Sequence, residues 1–451
     1  MITRLTTMAS LFATVIMAEV PQDIPGFHYD RTVGDISAYT LEKNDLKVLL
    51  LPEHTSPVVT VMVTYLVGSR NEVTGTTGAT HLLEHLMFKG SSKFNQENGN
   101  GYDQTLDPLG AQNNATTWLD RTNYYVNSPN DHLPTIIALE ADRVRGLLLR
   151  ESDRQPEMTV VRNEFERGEN SPFSVLLDQV GSAAFIAHPY HHSTIGWRSD
   201  IENVPIEKLR EFYDTFYWPN NATVSVIGDF EPAQALALIR EHFGVLPHSP
   251  HAIPEVYTEE PKQDGPRRLI VKRAGQLGLI DIAHKIPPGT HADYPAVTVL
   301  SRILSSGKGS RLYRALTDQG LSTGTNAFPF YNRDMTLHHT LIPLAPGIEH
   351  QTAEDAALAE IEKIKSDGVT AAEVSSAVSQ ILAESAFSRD GSFAVAGVLN
   401  EHIAVGDWAA YYTLDEKTQA VTPADVQRVA QLYFIEDSST TGWFVPQLPT
   451  E

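Results

Sequence analysis

Residues 77–90 read TGATHLLEHLMFKG, and the reading of the whole chain turns on them. In a helix, positions four apart lie one above the other, so His81 and His85 would share a face with Glu84 beside them. Leu82, Leu83, Leu86 and Met87 fall on the other side and suit a buried face. Gly90 is placed to end the helix, because glycine tolerates the left-handed conformation past a terminus. Two imidazoles one turn apart can reach a single ion, and zinc accepts neutral imidazole nitrogen readily. The spacing is also open to a plainer reading, a core helix with two hydrogen-bonded histidines.

At 451 residues the chain is too long for one ordinary core, which predicts two domains of about 200 residues each. A hydrophobic content of 41% with 20% charged residues is that of a globular protein. The 34 basic and 56 acidic residues leave a formal charge of -22, which argues against nucleic acid as a partner and permits basic peptides. Cysteine is absent, so disulfides and thiolate metal sites are excluded, and any zinc must rest on His, Asp, Glu and water. Residues 1–18 resemble a secretory signal, with Arg4, an apolar run from Met8 to Ala18 and small residues near a cut after Ala18. That run is too short to span a bilayer and no later segment is long enough. The expectation is a periplasmic or otherwise exported protein, with a cytoplasmic one as the alternative.

Tyr39–Leu51 and Val58–Val67 read as two strands, separated by Pro52 and a turn-prone HTSP segment. A helix is expected between Gln96 and Leu109, a strand over Ala115–Val126, and helices over Leu133–Leu149 and Pro156–Gly168. Residues 246–266, LPHSPHAIPEVYTEEPKQDGP, hold five prolines and read as a linker. The chain beyond this linker repeats the chain before it. A shift of 217 residues lays Leu82, Leu83, Leu86, Met87 and Gly90 on Val299, Leu300, Ile303, Leu304 and Gly307. It also lays Leu209, Phe212, Phe216 and Tyr217 on Val426, Val429, Tyr433 and Phe434. One offset over two distant segments points to a duplicated domain. His81, Glu84 and His85 become Thr298, Ser301 and Arg302: the apolar side persists and the polar side does not, which marks the polar face of the first copy as functional.

Two histidines do not complete a zinc site. Within EMTVVRNEFERG, Glu157 and Glu164 are seven apart and share a helix face, with Val160 and Val161 expected to pack between them. One carboxylate could ligate while the other hydrogen-bonds a ligand imidazole. The spacing leaves open a solvated acidic face, the reading preferred for Glu166 and Glu169.

GATHLLEHLMFKG, the later EMTVVRNE and the intervening GAQNNATTWLDRTNYY resemble the pitrilysin, insulin-degrading and mitochondrial-processing metallopeptidases, whose His-x-x-Glu-His order is that of inverzincins. The likeness extends to the stretch before the motif, to HPYHHSTIGW and FYWPNNATVSVIGDF after it, and to VTPADVQRVAQLYF near the end. It implies two homologous α+β domains, each a mostly antiparallel sheet with helices packed on one face. The expected division is a zinc-bearing domain over 30–245, a linker over 246–266 and a homologous domain over 267–446 without the metal motif. It implies one Zn2+ per chain on His81, His85 and Glu164, Glu84 as general base, and Glu157 as a supporting acid. It further implies that the strand at Asn114 and Ala115 pairs with a peptide substrate by strand addition. The loop histidines His188, His191 and His192 are read as structural.

One departure stands out. Active single-chain relatives carry an Arg and a Tyr after a segment like GSRLYRAL, whereas here Thr317 and Thr323 fall at about those places. Arg311 and Arg314 lie nearby, but the alignment does not put them in that role. The resemblance therefore implies a zinc-dependent endopeptidase whose homologous partner subunit supplies the Arg and Tyr, a heterodimer with no membrane span. The rivals are a non-hydrolytic peptide-binding clamp and a structural subunit of the same fold.

Overall fold

The computed structural model describes residues 24–447, so the expected signal segment lies outside the described residues. The first half is a seven-stranded sheet built from β1 (Phe27–Val33), β2 (Ile36–Leu41), β3 (Leu46–Pro52), β4 (Val58–Tyr65), β5 (Gln112–Thr117), β6 (Thr122–Pro129) and β7 (Ala222–Gly228). Their order is β1-β2-β3-β7-β4-β6-β5, antiparallel throughout except for β3 beside β7. Its helices are α1 (Ala79–Leu86), α2 (Tyr102–Leu106), α3 (Leu133–Gly146), α4 (Glu151–Glu169), α5 (Pro172–Ala184), α6 (Arg198–Asn203), α7 (Ile206–Phe216) and α8 (Pro232–Phe243).

The second half has five strands, β8 (Arg267–Ala274), β9 (Leu279–Ile286), β10 (Asn326–Pro329), β11 (Thr336–Pro343) and β12 (Ser439–Gln447), in the order β10-β11-β9-β12-β8. Only β12 and β8 run parallel. Its helices are α9 (Tyr294–Ser305), α10 (His350–Asp367), α11 (Ala371–Phe387), α12 (Ser392–Val405), α13 (Ala410–Gln419) and α14 (Pro423–Tyr433). The 217-residue shift carries α7 onto α14 end for end, and brings α3 near α10, α4 near α11, and β7 near β12. The duplication is therefore structural, and the two homologous α+β domains are as expected.

The main core of each half lies between its sheet and its own helices. The opposite sheet faces are covered reciprocally. From α12, Val395, Ala396, Leu399 and Ile403 pack on Ile36, Ala38, Leu49, Met62 and Ile227 of the first sheet. From α5, Leu176, Val180 and Ala184 pack on Ala283, Leu337 and Phe444 of the second. This explains the near-continuous apolar strands: β7 is buried along its whole length because both faces are covered.

Four expectations need correction. Tyr39–Leu51 is a hairpin, β2 and β3, turning at Glu42–Asp45, where Asp45 takes a φ of 59°. Ala115–Val126 is likewise two strands, β5 and β6, broken at Trp118–Arg121, where Trp118 N–H donates to the Arg121 carbonyl. The segment 96–109 is a short α-helix, α2, flanked by two 3-10 turns, because Gly99 and Gly110 adopt φ of 73° and 65° and end those turns. Finally, α4 starts at Glu151, five residues before Pro156, whose missing N–H removes one ladder bond without ending the helix.

Candidate active site

The His81 helix is held from its N-terminus. Glu72 Oε2 accepts the Gly78 N–H at 2.8 Å and Oε1 accepts the Thr80 N–H at 2.7 Å, which satisfies two donors that a helix start leaves unpaired. Gly78 has a φ of +83°, and a Cβ there would lie 2.4 Å from the Ile195 carbonyl oxygen, so the entry to the helix requires glycine. Leu82, Leu83, Leu86 and Met87 are buried in the core, as their spacing predicts. That packing fixes the opposite face, on which His81, Glu84 and His85 line one cleft.

Helix α4 brings the carboxylates. Of its 19 residues only Glu157 and Val161 are buried, while Val160 turns outward and is 42% exposed, contrary to the expectation that both valines pack. Glu164 lies two turns beyond Glu157 on the same face. His81 Nε2 and His85 Nε2 are 3.3 Å apart, and each is 3.6 Å from Glu164 Oε2. Ligands at about 2.0–2.2 Å from a tetrahedral zinc ion stand about 3.3–3.6 Å from one another, so the triangle fits the ion. Three lone-pair-bearing atoms facing one point also call for a cation on electrostatic grounds. Among the described residues this is the one such group of three.

The surroundings set protonation. Burial, with His85 beside it, pulls the His81 imidazole down to about 4, so it is neutral at pH 7, as a metal ligand must be. Burial also depresses His85, but the hydrogen bond to Glu157 and the charges of Glu164 and Glu84 outweigh it and leave the group raised. His85 Nδ1 is 2.9 Å from Glu157 Oε1, which directs Nε2 to Glu164, and Lys89 Nζ holds the other Glu157 oxygen at 2.6 Å. Burial raises Glu84, opposed in part by a hydrogen bond donated by the Thr117 hydroxyl at the end of β5. A carboxyl shifted towards neutrality can both accept and return a proton.

Asn114 and Ala115 line the same cleft, on a strand that among the described residues pairs only with β6 and so has a free edge. The Ala115 N–H is held by the Asn114 side-chain oxygen at 2.9 Å. Among the described residues, those lining the cleft all fall from His81 to Glu164. Arg311 is bound to Glu373 at 2.6 Å, Thr317 to Ser322 at 2.9 Å, and neither these nor Arg314 and Thr323 line it. His188 faces Asp334 at 3.1 Å, and none of His188, His191 and His192 joins the His81 group. The sequence reading missed Glu72, Lys89 and Thr117. Lys89 carries a signal, standing four residues after His85 just past the end of α1; Thr117 and Glu72 act through tertiary contacts that spacing does not encode.

Residues 47–197 match the insulinase family, peptidase family M16, and residues 203–381 match the peptidase M16 inactive domain. Over 411 residues the chain is 32% identical to the zinc protease PqqE of Helicobacter pylori, covering 90% of this chain and 91% of that one. The chain belongs to the insulinase family. It is accordingly a zinc-dependent endopeptidase. The crystal structure of a protease from Helicobacter pylori superposes with a TM-score of 0.87 at 30% identity, covering 92% of this chain and all of that one. Pitrilysin shares the fold, with a TM-score of 0.77 at 16% identity over 94% of this chain, but this chain spans only 47% of it.

Proposed function

We propose that His81, His85 and Glu164 hold one zinc ion, with Glu84 as the general base for peptide hydrolysis. The observation that carries this is the 3.3–3.6 Å triangle of donor atoms with Glu84 on the same helix face. Bound zinc supplies polarisation of the scissile carbonyl and lowers the pKa of a neighbouring water towards about 7. Glu84 takes the proton of that water and delivers it to the leaving amine. Glu157 keeps the His85 ring in the tautomer whose Nε2 is free. The free edge of β5 receives the substrate backbone by strand addition. This requires the Asn114 side chain to swing away from the Ala115 N–H, which then donates to the substrate.

We infer further that a homologous subunit completes the site. Among the described residues the cleft draws on 81–164 alone, and no arginine or tyrosine of the second half lines it. The apolar run at Met8–Ala18 supports export as the setting. Residues 30–245 and 267–446 are taken as the two domains.

The test is hydrolysis of a mixed fluorogenic peptide library by the zinc-loaded chain, alone and with a co-purified homologous partner. Glu84→Gln should lower turnover about 10²–10⁴-fold while one zinc ion stays bound. Retained turnover refutes the assignment of Glu84, full activity of the lone chain refutes the second subunit, and silence in both preparations favours the peptide-binding clamp.

A further inference from the structure

The end of β5 is held from both faces of the first sheet. Successive strand residues point to opposite faces, so Thr117 turns towards α1, where its hydroxyl donates to Glu84 Oε2, and Thr116 turns towards the face that α12 covers. On that face stands Arg121, the last residue of the β5–β6 turn, which is 9% exposed. Its Nη1 donates to the Thr116 carbonyl at 3.1 Å, to the Thr116 hydroxyl, and to Oδ1 of Asn123, the cross-strand partner of Thr116, at 2.9 Å. Its Nε and Nη2 both donate to Oε1 of Glu401 on α12, the first at 3.2 Å. Glu401 Oε1 also takes the Asn400 amide at 3.2 Å, and buried Asn400 accepts the Thr64 hydroxyl of β4 at 2.8 Å.

This exceeds what closing a turn needs. The Trp118 N–H already donates to the Arg121 carbonyl at 2.8 Å, and Asp120 within the turn is held by Arg70 at 3.3 Å and by the Tyr190 hydroxyl at 2.6 Å. A guanidinium this buried is costly to desolvate unless it is paired, and its one carboxylate partner among the described residues comes from the second half. The strand it grips stands at the sheet edge, with β6 as its one neighbour among the described residues. Such an end, with few contacts of its own, is where a sheet opens most easily. The planar fork of Arg121 ties Thr116 on one side to Glu401 on the other. Fixing Thr116 fixes the backbone of Thr117, whose hydroxyl then stays on one oxygen of Glu84 and leaves the other for the water to be deprotonated.

We propose that Arg121 and Glu401 are positioning residues of the peptidase site, through which the second half holds the end of β5 and, by way of Thr117, the carboxylate of Glu84. The proposal rests on the reading of Glu84 as general base and deepens it by naming the residues that keep that base in place. It also gives the second half a part in the reaction although none of its residues lines the metal cleft among the described residues.

The test measures kcat and KM on a fluorogenic peptide from the mixed library, in whichever preparation turns over, the lone zinc-loaded chain or the chain with its homologous partner. Thr117→Val should lower kcat about 10-fold or more, the worth of one hydrogen bond to a charged group. Arg121→Ala should lower kcat by about 10-fold with KM within about threefold, because Asn113–Ala115 keep their pairing with β6. Added to Thr117→Val, it should cost less than about a further threefold, since both changes act on one hydrogen bond. Glu401→Ala should lower kcat about 10-fold and Glu401→Gln, which keeps an acceptor without the charge, about threefold. Zinc affinity from chelator competition should stay within about threefold in every variant, because none touches the His81, His85 and Glu164 triangle. Thermal melting identifies a variant that fails to fold, and Glu401→Gln, at a side chain 39% exposed, then decides. An unchanged kcat in folded variants, a loss carried by KM, or full additivity with Thr117→Val overturns the proposal. Turnover that ignores Arg121 and Glu401 removes this proposal alone, whereas no turnover in either native preparation removes the reading of Glu84 and this proposal with it.

Discussion

Replacing Glu157 by alanine should weaken zinc binding without touching a ligand. Its Oε1 accepts from His85 Nδ1 at 2.9 Å and its Oε2 takes Lys89 Nζ at 2.6 Å. A hydrogen bond to a charged group contributes about 1.5–3 kcal/mol, which at about 1.4 kcal/mol per decade is roughly 10- to 150-fold in affinity. Outer carboxylates behind metal-bound imidazoles typically contribute about 10- to 100-fold. Two further effects act in the same direction. The freed imidazole can adopt the tautomer that protonates Nε2, and Lys89, which shares Glu157 with His85, is left with an unpaired positive charge. We therefore expect the upper part of the range, about 50- to 150-fold, for Glu157→Ala. Glu157→Gln retains an acceptor for Nδ1–H but loses the charge, and about 10-fold is expected. Competition with a chromophoric chelator at about pH 7.5 measures both, with Glu166→Ala on the same helix as the control, since that side chain is 48% exposed. A zinc affinity for Glu157→Ala within about threefold of the native value would refute the reasoning, and a glutamine variant as weak as alanine would locate the effect in charge alone.

Protons and zinc compete for the same imidazoles. With His81 held near 4 and His85 raised above its ordinary value, affinity should rise with pH through the His85 window above about 6.5. Zinc binding at about pH 6 should then release about one histidine proton, as calorimetry in two buffers would show; release of two means His81 is not depressed. Glu72→Ala leaves the Gly78 and Thr80 N–H groups unpaired inside the protein, a loss of about 2–6 kcal/mol at about 1–3 kcal/mol each. Thermal melting should show a Tm lower by at least about 5 °C, with Glu72→Gln intermediate; an unchanged Tm means the cap is not structural. Leu399→Ala on α12 should cost about 2–5 kcal/mol and, because that helix covers the first sheet, should bring on zinc release and second-half unfolding in one transition, whereas two separate transitions would contradict the reciprocal packing.

The parts legible in the sequence are those in which local spacing and chemistry coincide. Helix α1 was readable because its apolar positions and its His81, Glu84 and His85 face repeat with one period, and the α7 to α14 correspondence because both carry large apolar residues at the same positions. The two hairpins were not, because their turns use side-chain hydrogen bonds in place of Gly or Pro. Asn44 is buried and its amide donates to the Phe243 carbonyl at 2.8 Å, so the β2–β3 turn is held from 199 residues away. Arg121 holds the β5–β6 turn by donating to the Thr116 carbonyl at 3.1 Å and Asn123 Oδ1 at 2.9 Å. The exchange of α5 and α12 was equally hidden, since an apolar helix face does not say which sheet it covers. The second half also shows why a lost motif need not loosen the fold. At the place of His85 stands Arg302, and its guanidinium pairs with Glu384 on α11 at 2.7 Å. The shift lays α11 near α4, so a side-chain cation joins the same two helices that the His81, His85 and Glu164 triangle joins in the first half. An exposed pair of this kind contributes about 0–1 kcal/mol, so α11 must dock mainly through Val374, Ala377 and Val378, all buried. Helix α4 buries only Glu157 and Val161, which makes it the more dependent of the two on whatever the three donor atoms hold.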